Sequence, residues 1–306
     1  VNLTEILNSW VFFALLAPLF WAISNFIDKY SLAEYTNHAH DFIFFGSQFS
    51  WILFVILAAA FGLPDLSVFW LVPIALGIFF MAACWMYAKA LRVAETSQLV
   101  ISFKLIPVLT VFLAFLFLGQ ELSAYDSLAF SFVFIGTVLV SVKKVEGAFR
   151  TSEGTTWLMG AIIVWSAIYV GVDWALTKIT FWHYLTLEVL GNGIAGTSLF
   201  FIPRIRKDLL ESVTTATTGK YFWFALTKSL DFLGQIVIKK AFILGPSAGL
   251  VTVVMQVQSA YAIAIGITLT LWFPHIIKED ISKENLGKKM LGAAIMFIGL
   301  CVLFLD

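Results

Sequence analysis

The apolar residues of this 306-residue chain fall in runs of about twenty, separated by gaps that hold turn-formers: "GLPD" at 62–65, "GQELS" at 119–123 and "ILGPS" at 243–247. A bilayer core about 30 Å thick needs roughly 20 apolar residues per helix. On that ruler the runs predict spans near 10–31, 40–62, 68–91, 97–119, 124–142, 156–178, 182–203, 220–243, 247–273 and 286–305. Backbone in hydrocarbon must satisfy its own N–H and C=O groups, so continuous apolar runs mean helices, and the alternation of a membrane barrel is not seen. Composition agrees, with 60% apolar and 12% charged residues against about 25% charged in a soluble domain. There is too little polar material to coat a soluble protein of this size, and the chain reads as an all-α integral membrane protein.

Formal net charge is zero, which leaves no global basic patch for nucleic acid and no acidic tail. Cys84 and Cys301 both sit in apolar runs and give neither a disulfide framework nor metal-ligand spacing. The run after Trp10 has no basic region before it and no A-x-A-like cleavage site after it, so it is read as a first span rather than a signal peptide. Asn2-Leu3-Thr4 is a weak match to a glycosylation sequon.

The two halves resemble each other. "FWAISNFIDK" (20–29) sits like "VWSAIYVGVD" (164–173), "YAKALRVAETSQLVI" (87–101) like "IKKAFILGPSAGLVT" (238–252), and "FIGTVLV" (134–140) like "FIGLCVLF" (297–304), all in the same order. These matches predict two five-helix repeats, 1–145 and 146–306. Five is odd, so the second repeat enters the membrane from the opposite side, the inverted plan common among transporters. Basic residues gather after odd-numbered spans: Lys29; Lys89 and Arg92; Lys143, Lys144 and Arg150; Arg204, Arg206, Lys207 and Lys220; Lys278, Lys283, Lys288 and Lys289. After even-numbered spans stand only Lys178, Lys239 and Lys240. The positive-inside rule then puts the odd-numbered loops in the cytoplasm and both termini outside.

The segment "YAKALRVAETSQLVISFKLIPVLTVFLAFLFLGQELSAYDSLAFSFVFIGTVLV" (87–140) resembles the drug/metabolite transporter superfamily, in its ten-helix branch built from two EamA-type domains. The matching features are Pro107 within the fourth span and "LGQELS" (118–123) before the fifth. Ile106 departs from the acidic or small residue many members carry just before that proline. Lys104, in "FKLIPV", is closer to the nucleotide-sugar and organic-phosphate branches, and in the second half Gln258 stands where the proline would. The resemblance implies a secondary transporter with alternating access. It also implies a central cavity lined mainly by helices one, three, four, six, eight and nine, with short fifth and tenth helices at the periphery.

Polar groups inside apolar spans are the candidate site. Lys104 at a helix centre costs about 2.5–3.5 kcal/mol on insertion scales. Pro107, placed mid-span as a helix break, leaves the carbonyl of Phe103 without its helical partner. A lysine beside that carbonyl is a candidate anion contact; the alternatives are snorkelling to the interface or pairing with a carboxylate. Glu188, with Asn192 one turn on, is a candidate counter-ion for Lys104 or a proton carrier. Lys228 and Asp231 are three apart and neutralise each other in the plainer reading. Gln235 extends their stripe. Gln256 and Gln258 are two apart, so one of them at most is expected to face a cavity. Trp21, Trp85, Trp165 and Tyr169 are candidate pocket aromatics, for a cation or a flat ring, against a packing or interface role. Asp28 and Asp173 read as gate or interface residues near span ends.

No P-loop, HExxH or G-x-S-x-G is present, so no catalytic residues, resident metal or cofactor are expected. "HAHD" (38–41) has metal-ligand residue types but reads as a solvated loop. The expected protein is a carrier for a small polar metabolite, an amino-acid-like zwitterion or anion. Lys104 would meet the acidic group, and Glu188 or Asp231 an amine or a coupling H+. Lys104 and Lys228 together would suit the second reading, a nucleotide-sugar or organic-phosphate exchanger; the aromatics and carboxylates would suit a third, a quaternary amine or aromatic drug exporter. Outside transport stands a membrane scaffold or sensor. The expected partners are the small-molecule substrate and the lipid bilayer, with no nucleic acid. The expected setting is a bacterial or archaeal inner (cell) membrane, with the chain a monomer or homodimer.

Overall fold

The structure is a computed structural model describing residues 8–36, 38–65, 67–93, 103–141, 153–272 and 283–302. Asn2-Leu3-Thr4, the loop charges Lys143, Lys144, Arg150 and Lys278, and the spans' ends at 97–102, 142, 273 and 303–305 lie outside the described residues. Among the described residues the chain is helical, without strands. In order the helices are α1 (Trp10–Tyr35), α2 (Ala39–Phe61), α3 (Leu71–Val93, led in by a 3-10 turn at Val68–Trp70), α4 (Leu105–Leu118), α5 (Ala124–Ser141) and α6 (Glu153–Leu176). There follow α7 (Phe181–Ser198), α8 (Pro203–Thr214), α9 (Thr218–Leu244), α10 (Ala248–Val254), α11 (Gln258–Trp272) and α12 (Lys283–Val302).

Local chemistry sets many of the ends. The Ser9 hydroxyl accepts from the Phe12 N–H at 3.2 Å to start α1, and the Ser247 hydroxyl accepts from Leu250 N–H at 3.2 Å to start α10. Gly62 (φ 73°) and Gly119 (φ 64°) end α2 and α4 in a left-handed conformation that other residues resist. "HAHD" is not a solvated loop: His38 caps α2, its N–H donates to Asp41 Oδ2 at 3.1 Å, and Asp41 is 1% exposed.

Five stretches are long and apolar enough to cross a membrane: Trp10–Asp28, Ala39–Phe61, Val68–Ala90, Thr156–Leu176 and Ala248–Leu269. A sixth candidate pairs α7 with α8, which are bent 106° apart at Pro203. Leu105–Leu118, Ala124–Leu139 and Met290–Val302 are apolar but shorter. The protein is therefore a multi-pass integral membrane protein. α9 is long enough to span but carries Lys220, Lys228, Asp231, Lys239 and Lys240, of which Lys220 and Lys239 are buried in the bundle and Lys240 is exposed.

Three expectations are corrected here. Pro107 is not mid-helix: α4 begins at Leu105, so the proline stands in the first turn, where its missing N–H has no intrahelical acceptor to lose. The Phe103 carbonyl is not free, because it accepts from the Ile106 N–H at 3.1 Å. Lys239 is not a loop residue, since it lies within α9 and is 1% exposed.

The main helix contacts are α1 with α9, α3 with α6, α2 with α7, α3 with α7, and α5 with α12. A buried core of Ala14, Ala17, Ile168, Val172, Ile238, Ala241, Val251 and Val254 joins α1, α6, α9 and α10. The α3–α7 seam is closest. A Cβ on Gly77 would collide with the Glu188 carbonyl, and one on Gly191 with the Ile74 carbonyl. Small residues here let two backbones meet, the usual device for helix association in lipid.

Candidate functional site

These contacts leave a cavity of about 750 Å³ between α1, α2, α3, α4, α6, α7, α9 and the α10–α11 break. Of the residues singled out in the sequence, it is bordered by Trp21, Lys104, Trp165, Tyr169, Asn192, Lys228, Asp231, Gln235, Gln256 and Gln258. Phe26, Phe42, Phe49, Phe80, Tyr87, Phe103 and Phe232 add to its aromatic wall. The α2 face, through Phe42, Gly46, Phe49 and Ser50, borders it as well as the helices expected from the resemblance.

Gln256 and Gln258 both border the cavity. The expectation that only one would do so assumed a continuous α-helix, but Met255–Val257 is a 3-10 turn that interrupts the span between α10 and α11. A 3-10 turn also often marks a functional hinge.

Charge in the cavity is split into two groups. The first is Lys104, 6% exposed at the start of α4. Its ammonium donates to Gln256 Oε1 at 3.3 Å and to the Ser259 hydroxyl. Both partners are neutral, and among the described residues no carboxylate pairs with it. The second group lies between α1 and α9. Lys228 Nζ is 2.7 Å from Asp231 Oδ2 and 4.4 Å from the centre of the Phe42 ring. Ser24 Oγ donates to Asp231 Oδ1, and Thr227 Oγ1 donates to Asp28 Oδ1 at 2.8 Å. Trp21 Nε1 donates to the Asp231 carbonyl at 3.4 Å. Asp231 thus pairs with the ammonium, while Asp28 is held by the Thr227 hydroxyl. Asp28, expected at a gate or interface, borders this cavity. The signal was available, because 21, 25 and 28 are spaced to share one helix face and Trp21, Asn25 and Asp28 all border the cavity.

The Asn192 amide oxygen is buried without a hydrogen-bond partner among the described residues, and its residue borders the cavity. Buried polar atoms are nearly always satisfied, and an orphan calls for an explanation.

Glu188 does not meet Lys104. Its carboxylate pairs with Lys239 at 2.9 Å, across α7 and α9, and accepts from the Tyr184 hydroxyl at 3.3 Å. Lys239 also donates to Gln235 Oε1. Glu188 and Lys239 border a separate small void behind Trp165, Tyr169 and Gln235, not the main cavity. Trp85 is likewise elsewhere. Its ring packs on Trp157 with centroids 5.9 Å apart, and Lys89 Nζ lies over both indoles at 3.9 and 4.1 Å, a cation–π clasp.

A multi-pass helical bundle around a solute-sized hollow, walled mainly by aromatic and aliphatic side chains with a few charged groups, is an architecture that membrane transporters use. Residues 8–142 match the EamA-like transporter family. The match contains the whole of the 87–140 segment that resembled the drug/metabolite transporter superfamily. That family is one of membrane transporters of the drug/metabolite type, and the matched stretch is somewhat less than half of the chain. Among solved structures 27 chains match. One crystal structure of a protein 14% identical superposes with a TM-score of 0.66, over 97% of this chain and 96% of that chain, so the shared fold extends through the second half. A comparison with curated proteins finds no significant match.

Proposed function

We propose that the protein is a secondary active transporter of a small zwitterionic metabolite of the amino-acid type, working by alternating access. The observation that carries this reading is Lys104: a buried ammonium on the cavity wall with only neutral partners. Holding such a charge in a membrane is costly, and a solute carboxylate would supply the missing counter-charge. With Lys228 paired to Asp231 and Asp28 held only by Thr227, this group would leave an excess negative charge for the solute's ammonium. The orphaned Asn192 oxygen would accept from the same group. The aromatic wall leaves room for an apolar side chain.

The inverted architecture, 1–145 and 146–306, is part of this proposal. It is supported by how the helices pair. If α1 corresponds to α6 and α3 to α9, the α1–α9 and α3–α6 contacts are one contact seen twice. On the same correspondence α2–α7 and α5–α12 each join an element to its own counterpart. Alternating access would then exchange the environments of the two halves around a fixed site. A coupling H+ would be carried by Asp28 or Asp231 rather than Glu188, which is tied to Lys239. The setting we assign is a bacterial or archaeal cell membrane.

A phosphate-bearing solute is the weaker reading, because Lys228 is already neutralised and Lys104 alone faces a multiply charged anion. Uptake of radiolabelled amino acids into liposomes, wild type against Lys104→Met, tests the proposal. Saturable uptake that the variant loses is expected; uptake equal in both would remove Lys104 from the mechanism.

A further inference from the structure

The corner between α1 and α2 carries a second constellation, remote in chemistry from the cavity. His38 caps α2, His40 follows in its first turn, and Asp208 reaches them from the second turn of α8. The two imidazoles lie stacked, centroids 4.8 Å apart and 13° from parallel. His40 Nε2 is 3.4 Å from Asp208 Oδ2. One ligand atom from each of the three residues falls within 4.8 Å of the others. Two of the three positions are fixed by their surroundings. Asp41 holds the His38 backbone N–H at 3.1 Å, and Leu209, fully buried beside Asp208, anchors α8 in an apolar cluster with Ile43, Phe45 and Phe224. His38 itself is exposed, so its ring is free to turn.

We propose that His38, His40 and Asp208 form a binding site for a transition-metal dication of the Zn2+ type, which bridges the start of α2 to α8. Two imidazole nitrogens and a carboxylate oxygen are the donor set of a three-ligand zinc site with an open fourth position. That set selects borderline metals over Mg2+ or Ca2+, which want oxygen alone. Tetrahedral bonds of about 2.0–2.1 Å need the donors closer together than they stand. Rotation of the exposed His38 ring and a small approach of Asp208 close the set. Asp208 and His40 keep side-chain exposures of 32% and 13%, enough for an ion to enter and for water to complete its shell. The site does not depend on what the cavity carries.

The test is isothermal titration of Zn2+ into the full-length protein in detergent, without a polyhistidine tag, against Mg2+ as control. Saturable binding near one equivalent is expected for Zn2+ and not for Mg2+. His38→Ala and Asp208→Asn should each weaken it by at least about tenfold, the scale on which even outer-shell partners act. Absence of saturable Zn2+ binding to the wild type overturns the proposal. So does affinity unchanged in both variants, which would put the ion on other groups such as Cys84 or Cys301.

Discussion

The Glu188 carboxylate and the Lys239 ammonium stand 2.9 Å apart, with side chains 7% and 1% exposed, and join the middle of α7 to α9. Each is the other's compensation. Removing one strands a buried charge, which typically costs about 3–5 kcal/mol. Lys239→Ala and Glu188→Ala should therefore each lower thermal stability in detergent sharply. The double variant Glu188→Leu with Lys239→Leu should recover most of it, because apolar residues of similar volume often replace such a pair without loss. If the double variant is as unstable as the worse single one, the pair is not the source of the effect.

Lys104 differs in having no carboxylate to strand. Lys104→Met keeps the length and deletes the charge, so the melting temperature in detergent should hold or rise. Binding of a zwitterionic solute should nonetheless weaken by about 10- to 100-fold, matching the roughly 1.5–3 kcal/mol of a hydrogen bond to a charged group. A thermal-shift screen reads both outcomes at once, since a ligand that binds only the folded state raises the melting temperature.

Asp28 and Asp231 should select for the other end of the solute. Asp28→Asn leaves the Lys228–Asp231 pair in place but removes the excess negative charge. Affinity for amine-bearing solutes should fall, while that for the corresponding deaminated acids should hold or improve. Equal losses for both series would place Asp28 in structure rather than in recognition.

Gly191→Ala should destabilise the bundle, because the added methyl meets the Ile74 carbonyl and backbone cannot rotate out of its way. A cost of about 1–3 kcal/mol or more is expected from such overpacking. Gly287→Ala is the control: among the described residues nothing lies near its would-be Cβ in α12. There the substitution should stabilise by about 0.5–1 kcal/mol through helix propensity.

What could be read from the sequence divides along a physical line. Apolar runs report which segments seek lipid, so the all-helical membrane class followed from them, although among the described residues five of the ten expected spans, or six with the bent pair, are long and apolar enough to cross; the motif around Pro107 lies within the stretch that matches a transporter family. The same runs do not say where a helix begins: Pro107 was placed mid-span, although it belongs to a first turn. Nor do they say which buried charges meet. Lys239, next to Lys240 and near a glycine, looked like the end of a span. Only the full length of α9 draws it inside, on the same stripe as Asp231 and Gln235 at spacings of four. Its partner Glu188 is 51 positions away on another helix, a contact no local pattern encodes. Trp85 failed for a related reason, because an indole stacked under Lys89 and one facing a cavity are the same letter at the same spacing.

Glu188 and Lys239, moving together, would carry no net charge through the electric field of an energised membrane. Lys104 has no such companion. Displacing its ammonium along the membrane normal does work against the voltage, up to about 2.3 kcal/mol per 100 mV for a full crossing. In the alternating-access cycle proposed above, the empty protein would feel that force at Lys104 and a solute carboxylate seated there would offset it, so polarisation would bias the resting protein toward one of its two faces.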